Sequence, residues 1–573
     1  MGERLSDDGA TPLVIGVTGH RKLRDDDLAD LGAQVRVFFL DLQARYPALP
    51  LLLLSPLAEG ADSLVADIAL EMGIRVVAPL PLPVELYRAD FGSADSLARF
   101  ERQCAQAQLL PLPLPLPDAD ANGGGSVAAP GPARDRQYAE AGLFVSRHCH
   151  ILLALWDGAD PASQGGTAHV VRFHLHGELP AHVRQRRASL SQLGVIEDSL
   201  VLHLPAARAD APSPVAAGPL WLTVHEGTDA GDTPPPDFDR MFRQQAEFNA
   251  DVVKYAGTIA EEAAAMRHAG NADCPVHRLF VAADWLARTY QRRVARVLRA
   301  TYVIAAATGA AFILYAHVHS QDAMIYLYLL LFAAGVGLAT LARRRAWHRK
   351  YLDYRALAEG LRVQSYWRRA AVVSLRRPAM ANENFMQEQD LELGWIRNVM
   401  RAASLEGLLV PVADDPAAVD EVVQEWIGTP TSDGQLRYFT VTGARRERQH
   451  RRAELWATTS LALGIGISVL LALFAHRWGY EIKTVLVVAM GLLSVAAGVH
   501  EAYAHKKADK ELVKQYRFMA RIYAGARRRL DATAGVPERR GILRVLGEAA
   551  LAEHAEWTLM HRERPLEHTR LGG

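Results

Sequence analysis

The sequence predicts an α/β Rossmann-like parallel sheet in its N-terminal part, followed by an α-helical membrane domain with two transmembrane hairpins, four spans in all. Three observations carry that prediction. Continuous apolar runs alternate with stretches of helical periodicity through the first two hundred or so residues. Four apolar runs free of Asp, Glu, Lys and Arg occupy 300–316, 324–342, 456–475 and 484–499. Arginine clusters at 292–299, 343–349, 445–452 and 527–529, beside the apolar runs and not inside them.

The α/β part unfolds in order. "PLVIGVTGH" is an apolar strand closed by glycines, and "RDDDLADLGAQVRVFFLDLQARY" follows with helical spacing. "LPLLLLS" is a second strand, with "EGADSLVADIALEMG" a turn and a helix; "IRVVAPLPLP" is a third and "HCHILLALWDG" a fourth. "SQGGTAHVVRF" opens another helix through glycines. A rigid "PLPLPLP" leads into a loop at 118–134. The domain spans 12–205, a linker rich in Pro, Ala and Gly runs over 206–236, and a helical connector occupies 237–299.

The first hairpin with its following amphipathic helix takes 300–375, a cytoplasmic bridging segment 376–444, the second hairpin 445–530 and a C-terminal cytoplasmic segment 531–573. Each run approaches the roughly 20 residues that cross a bilayer's hydrocarbon core. The outer flanks are basic and the connector "HVHSQD" has no Lys or Arg, which puts both connectors outside and the termini and soluble parts in the cytoplasm; "HRWGYEIK" carries Arg477 and Lys483 against this pattern. The two hairpins read as a duplication, with Tyr354-Arg355 after the first and Tyr516-Arg517 after the second. Small residues in "ATGAA" and "GIGIS" allow close helix approach, and a homo-oligomer is expected.

Composition excludes several classes. Lys plus Arg and Asp plus Glu are both 64, so no global basic field marks a nucleic-acid binder, and none is expected as a partner. Three cysteines in no metal or CxxC spacing argue against a disulfide framework or a zinc site, and no metal ligand set or cofactor is expected. The opening "MGERLSDDGATP" lacks the apolar core of a signal peptide.

Ligands of open parallel sheets bind beyond the carboxyl ends of the strands. There this sequence places Gly16, Thr18, Gly19, His20 and Arg21; Ser55, Glu59, Gly60, Ala61 and Asp62; Trp156 and Asp157; and Gly165, Gly166 and Thr167. Glycines admit a phosphate to the backbone, hydroxyls donate, Arg21 offers a fork to phosphate oxygens, and the start of the "EGAD" helix offers free N–H groups. The expected ligand is a nucleotide or nucleotide-derived molecule, and residues 1–236 alone are expected to be soluble and to bind it.

In order and spacing, "GVTGHR", "LAEGADSLVADIA", "LPLPVELYRADF", "ILLALWDG" and "GGTA" resemble the SLOG superfamily, the Rossmann-like group that includes LOG phosphoribohydrolases and Smf proteins. The resemblance implies binding of a nucleotide signal. LOG enzymes carry a Glu after their GGxGT motif; Val170 stands there, so no catalytic residue is assigned. "YRALAEGLR…W" after the first hairpin resembles the SLATT two-span effectors of bacterial conflict systems, and the second copy departs from it. Together these imply a bacterial inner-membrane antiviral effector in which a cytoplasmic SLOG-like domain senses a nucleotide signal and the hairpins oligomerise to permeabilise the membrane. The alternative is a membrane-tethered, LOG-like enzyme hydrolysing a nucleotide or nucleoside.

Overall fold

The computed structural model describes residues 9–114, 127–159, 166–178, 198–209, 218–224, 229–230, 233–265, 274–318, 322–375, 385–386, 391–412, 414–506 and 509–562. Two compact units divide the chain, one formed by 1–283 with 357–413 and the other by 284–356 with 414–573.

The first unit is built on an eight-stranded sheet: β1 (Leu13–Gly19), β2 (Leu51–Leu54), β3 (Arg75–Leu80), β4 (Gln108–Pro111), β5 (Ile151–Trp156), β6 (Val201–Pro205), β7 (Leu220–Leu222) and β8 (Asp229–Ala230). The order is β4-β3-β2-β1-β5-β6-β7-β8, parallel from β4 through β6 and antiparallel beyond. The chain runs outward from β1 to β4 and returns beside β1 as β5, so the strand order reverses between them. β1, β2 and β5 are buried almost throughout, which is why they read as unbroken apolar runs.

Between strands run α1 (Leu28–Arg45), α2 (Ala61–Glu71), the single turn α3 (Val84–Tyr87), α4 (Ala94–Gln106), α5 (Pro132–His148) and α6 (Thr167–His176). Beyond the sheet come α7 (Pro236–Lys254), α8 (Ala256–Ala265), the 43-residue α9 (Pro275–His317), α10 (Met324–Arg344), α11 (Trp347–Arg369) and α12 (Gly394–Leu408). The described strands β4 and β6 to β8 are absent from the sequence-based expectation. β4 hides in the proline-rich stretch, since an edge strand tolerates proline, and β7 and β8 lie inside the expected linker.

The bridging segment is the larger correction. Ala402 and Leu405 of α12 belong to the same core as Val14, Leu152 and Ala154 of the sheet and Val145 of α5. Asp198, 2% exposed, accepts from Arg397 Nε at 3.0 Å and Arg401 Nη2 at 2.7 Å. Burial opposes ionisation of that carboxyl, but the two guanidiniums hold it well below the usual carboxylate range. Three buried histidines lie in this core. His150 accepts the Val14 N–H at Nδ1 (3.1 Å) and donates from Nε2 to Asn398 O (2.9 Å), which fixes a neutral ring. On the α7 side, Asn249 accepts the Thr11 N–H at 3.0 Å and Tyr46 donates to Asp239 at 2.8 Å.

The second unit holds the rest of α9, α10 and α11 with α13 (Pro416–Val422), α14 (Gln435–Phe474), α15 (Tyr480–Lys506), α16 (Asp509–Ala532) and α17 (Val536–Arg562). α9, α10, α14 and α15 are long and apolar enough to cross a membrane. Leu330 is 67% and Leu461 62% exposed, a degree of apolar exposure that calls for hydrocarbon around it. α9 and α15 approach closely at two glycines: a Cβ on Gly309 would lie 2.9 Å from Val495, and one on Gly491 would lie 3.2 Å from Ile313. Among the described residues nothing lies within 4 Å of a Cβ built on Gly464 or Gly466, so "GIGIS" serves no such contact there.

The two hairpins, expected to be copies, match in chemistry more than in geometry. Tyr354 packs on Tyr290 and Arg355 faces Asp284 at 3.3 Å; Tyr516 packs on Phe439 and Arg517 faces Glu447 at 2.7 Å. In the first copy the acid precedes the aromatic residue along the helix, and in the second it follows.

Candidate functional site

The carboxyl ends of β1 and β5 meet at the reversal of strand order, the position where open α/β sheets bind ligands. There His20 Nε2 accepts the Asp157 N–H at 3.0 Å, and the His20 backbone N–H donates to Leu155 O at 3.1 Å. An accepting Nε2 leaves the proton of a neutral ring on Nδ1. Asp157 Oδ2 lies 3.2 Å from Arg208 Nε, and its Oδ1 accepts the Ala159 N–H at 3.0 Å. Trp156 donates to Ala159 O at 2.8 Å and packs against His203. This group is closed on itself, with both Asp157 oxygens engaged.

On the β1–β2–β3 side the chemistry is more open. Arg21 is 51% exposed, lies over the Tyr138 ring at 5.5 Å and stands 4.0 Å from Asp90 Oδ2. Arg134, 6% exposed at the side chain, donates to Asp90 Oδ1 at 2.7 Å and to the Tyr138 hydroxyl at 2.9 Å, and Tyr138 donates to Asp90 Oδ2. Asp62, in the first turn of α2, is half-buried as a residue, yet its Oδ1 is shut off from solvent and has no hydrogen-bond partner among the described residues. Burial pushes its carboxyl up to about 7, with Arg21 and the Ala58 N–H pulling back. Tyr87 is fully buried close by, its phenol raised first by burial and then by Asp62.

Several residues expected to face a ligand face the protein. Gly16 makes room for α5: a Cβ there would lie 2.6 Å from Val145 and 3.0 Å from Cys149. Gly19 makes room for α2, with a Cβ 2.4 Å from Ala61 and 2.6 Å from Leu155 O. Gly60 has φ +90°, and a Cβ would strike the His20 and Arg21 carbonyls. Ala61 is buried and its N–H is bound to His20 O at 3.0 Å, so that amide is not free for an anion. The Ser55 hydroxyl donates to Asp62 O and accepts the Leu57 N–H. Leu57 holds φ 58° with its side chain wholly buried, a strained turn at the end of β2.

Thr18 and Glu59 are half-buried beside this turn. Gly166 caps α6 and Thr167 begins it, both half-buried; Gly165 lies outside the described residues. Val170, where the SLOG resemblance would place a Glu, is 7% exposed and fills the space against Gly142, so this position is core.

The structure thus brings together His20 with Asp157, and Arg21 with Asp62. It adds Tyr87, Asp90, Arg134 and Tyr138, which sequence reasoning did not assign. Tyr87 and Asp90 lie within "LPLPVELYRADF", a stretch whose individual side chains carry no spacing rule; Arg134 and Tyr138 sit one helical turn apart at the start of α5. Among the described residues no group of three His, Cys, Asp or Glu side chains could hold a metal ion. No protein-family model matches the chain, and no curated protein or solved structure matches it.

Proposed function

We propose that the protein is a ligand-gated membrane effector of a bacterial defence or signalling system. Its first unit, read as SLOG-like, binds a nucleotide or nucleotide-derived signal at the carboxyl edge of the sheet. Its hairpins, read as SLATT-like, oligomerise in the inner membrane and permeabilise it, with both termini in the cytoplasm. The observation that carries the reading is Arg21, half exposed beside the buried Asp62 carboxyl, whose Oδ1 has no hydrogen-bond partner among the described residues, in a chain that also has four apolar helices. A guanidinium lying on an aromatic face suits a phosphate oxygen, and a carboxyl that ionises near neutrality suits a base amine or ribose hydroxyl. Gating requires that the signal bind two states of the first unit with different affinity.

The test is direct. Nucleotides titrated into the full-length protein should bind, and Arg21→Ala should weaken the best of them by ~1.5–3 kcal/mol. The same variant should no longer depolarise cells. An Arg21→Ala protein that binds nothing yet depolarises as strongly as the parent would overturn the coupling of the two activities. Asp62 also favours a second reading, a tethered hydrolase, since a carboxyl poised near 7 can exchange protons in a reaction. Release of free base from a bound nucleotide by the purified protein, lost in Asp62→Asn, would select that reading.

A further inference from the structure

The second unit contains a cavity of about 720 Å³ between α14 and α16, open along one side and lined by Thr440, Gly443, Ala444, Glu447, Lys514, Arg517 and Arg521 among others. Its volume falls within the ~300–1,000 Å³ usual for small-molecule sites. Space exists because small residues face it: Gly443 and Ala444 on one wall and Ala520 on the other.

Three cations stand on one stripe of α16, spaced three and four residues apart. Arg517 is matched by Glu447 at 2.7 Å, and Glu447 is shared with Arg451 at 2.8 Å. Among the described residues Lys514 and Arg521 form no ion pair and no hydrogen bond. The walls therefore carry three positive charges and one negative, with the two unmatched cations at the ends of the stripe.

We propose that this groove is an anion site for a soluble di- or polyphosphate. Lys514 and Arg521 are seven residues apart, about 10 Å along the helix, so a chain of phosphates spans them better than one does. Location separates a soluble ligand from a lipid. Glu447 stands nine residues before Trp456, where the apolar run begins, and Thr440 sixteen, which places the groove about 13–24 Å along the helix from the hydrocarbon. A headgroup layer is about 5–7 Å thick on each side, so the groove lies in the aqueous phase on the basic flank of the span. The site is independent of the one at the sheet edge.

Pyrophosphate, inorganic phosphate and phosphatidylglycerol are the probes, each titrated into full-length protein in a zwitterionic detergent. Arg21→Ala serves as background, so that the sheet edge does not contribute. Pyrophosphate should bind more tightly than phosphate, and the Lys514→Ala/Arg521→Ala double variant should weaken it at least ~tenfold. Folding of that variant is checked by its unchanged elution and helix content, since both side chains are exposed. Pyrophosphate affinity unchanged in the folded double variant would overturn the site. Loss of phosphatidylglycerol binding alone would overturn the soluble-ligand assignment in favour of a headgroup.

Discussion

Replacing Asp62 with Asn tests whether the sheet edge stores an unfavourable charge. In the folded chain burial raises this carboxyl to about 7 from an ordinary value of 3.8. Because the folded value is the higher, the unfolded chain releases its proton first as pH rises, and folding stability is lost progressively between about pH 4 and 7. Three pH units at ~1.4 kcal/mol each set a ceiling of ~4 kcal/mol, and water reaching the half-buried residue reduces this to roughly 2 kcal/mol. Asp62→Asn removes that cost. It should therefore stabilise the first unit at pH 7.5 by ~2 kcal/mol, about thirtyfold in hydrogen-exchange protection of β1 and α2 amides, and by little at pH 4.5. Parent and variant are compared at the same pH, which cancels the intrinsic exchange rate and all other titrating groups. A variant less protected than the parent, or equally protected at both pH values, would show that Asp62 is satisfied and would remove the premise of an edge poised for a ligand.

Three buried histidines act in the opposite direction. Burial lowers His148 and His174 to about 4 and His150 to about 3, so stability present above the unfolded value of 6.5 is lost as pH falls. Between pH 7 and 5 each should cost ~2 kcal/mol, read as a falling urea midpoint of the detergent-solubilised chain. Gly19→Ala should fail to give folded protein, because its Cβ meets a backbone carbonyl at 2.6 Å, whereas Gly16→Ala should cost only ~1–3 kcal/mol, since the Val145 side chain can yield. A cysteine replacing Gly479 should react with an impermeant reagent outside intact cells, and one replacing His450 should not; the reverse pattern would invert the proposed topology. Residues 1–236 made alone should aggregate, because Ala402 and Leu405 complete their core.

What was legible in the sequence follows from which signals are local. β1, β2, β3 and β5 announce themselves because both faces of each are buried, and the spans because hydrocarbon tolerates no charge. His20, Arg21, Asp62 and Asp157 were found because a parallel sheet directs strand ends to one edge. The glycines misled in detail: Gly16 and Gly19 are required by helices approaching the sheet, and a turn glycine looks the same in sequence whether a helix or a phosphate fills the space. Asp90, Arg134 and Tyr138 escaped because 44 and 48 residues separate the first from the others, and only tertiary packing joins them. The role of α12 escaped for the same reason, with Asp198 about two hundred residues from its two arginines.

The order in which the chain visits its two units bears on gating. Residues 1–283 build most of the first unit, 284–356 pass through the second, and 357–413 return to complete the first. The first hairpin is therefore inserted in the sequence of the first unit, and the chain crosses between units inside α9 and within α11, both unbroken helices. The returning segment is bound by groups that cannot be given up cheaply: Arg397 and Arg401 on Asp198, Asn398 O on His150, and Glu406, which accepts from Arg75 at 2.5 Å and 3.1 Å. Parting a buried ion pair leaves an uncompensated charge that costs ~3–5 kcal/mol. The proposed ligand at the sheet edge would act on a unit whose sequence both enters and leaves the first hairpin, whereas the second hairpin lies wholly beyond it. If gating follows this order, α9 and α11 carry the change and the second hairpin responds through the first. Glycine pairs placed in α11 near the crossing at Ala356 should then uncouple ligand binding from depolarisation while leaving binding intact, and the same pair placed in α16 should not.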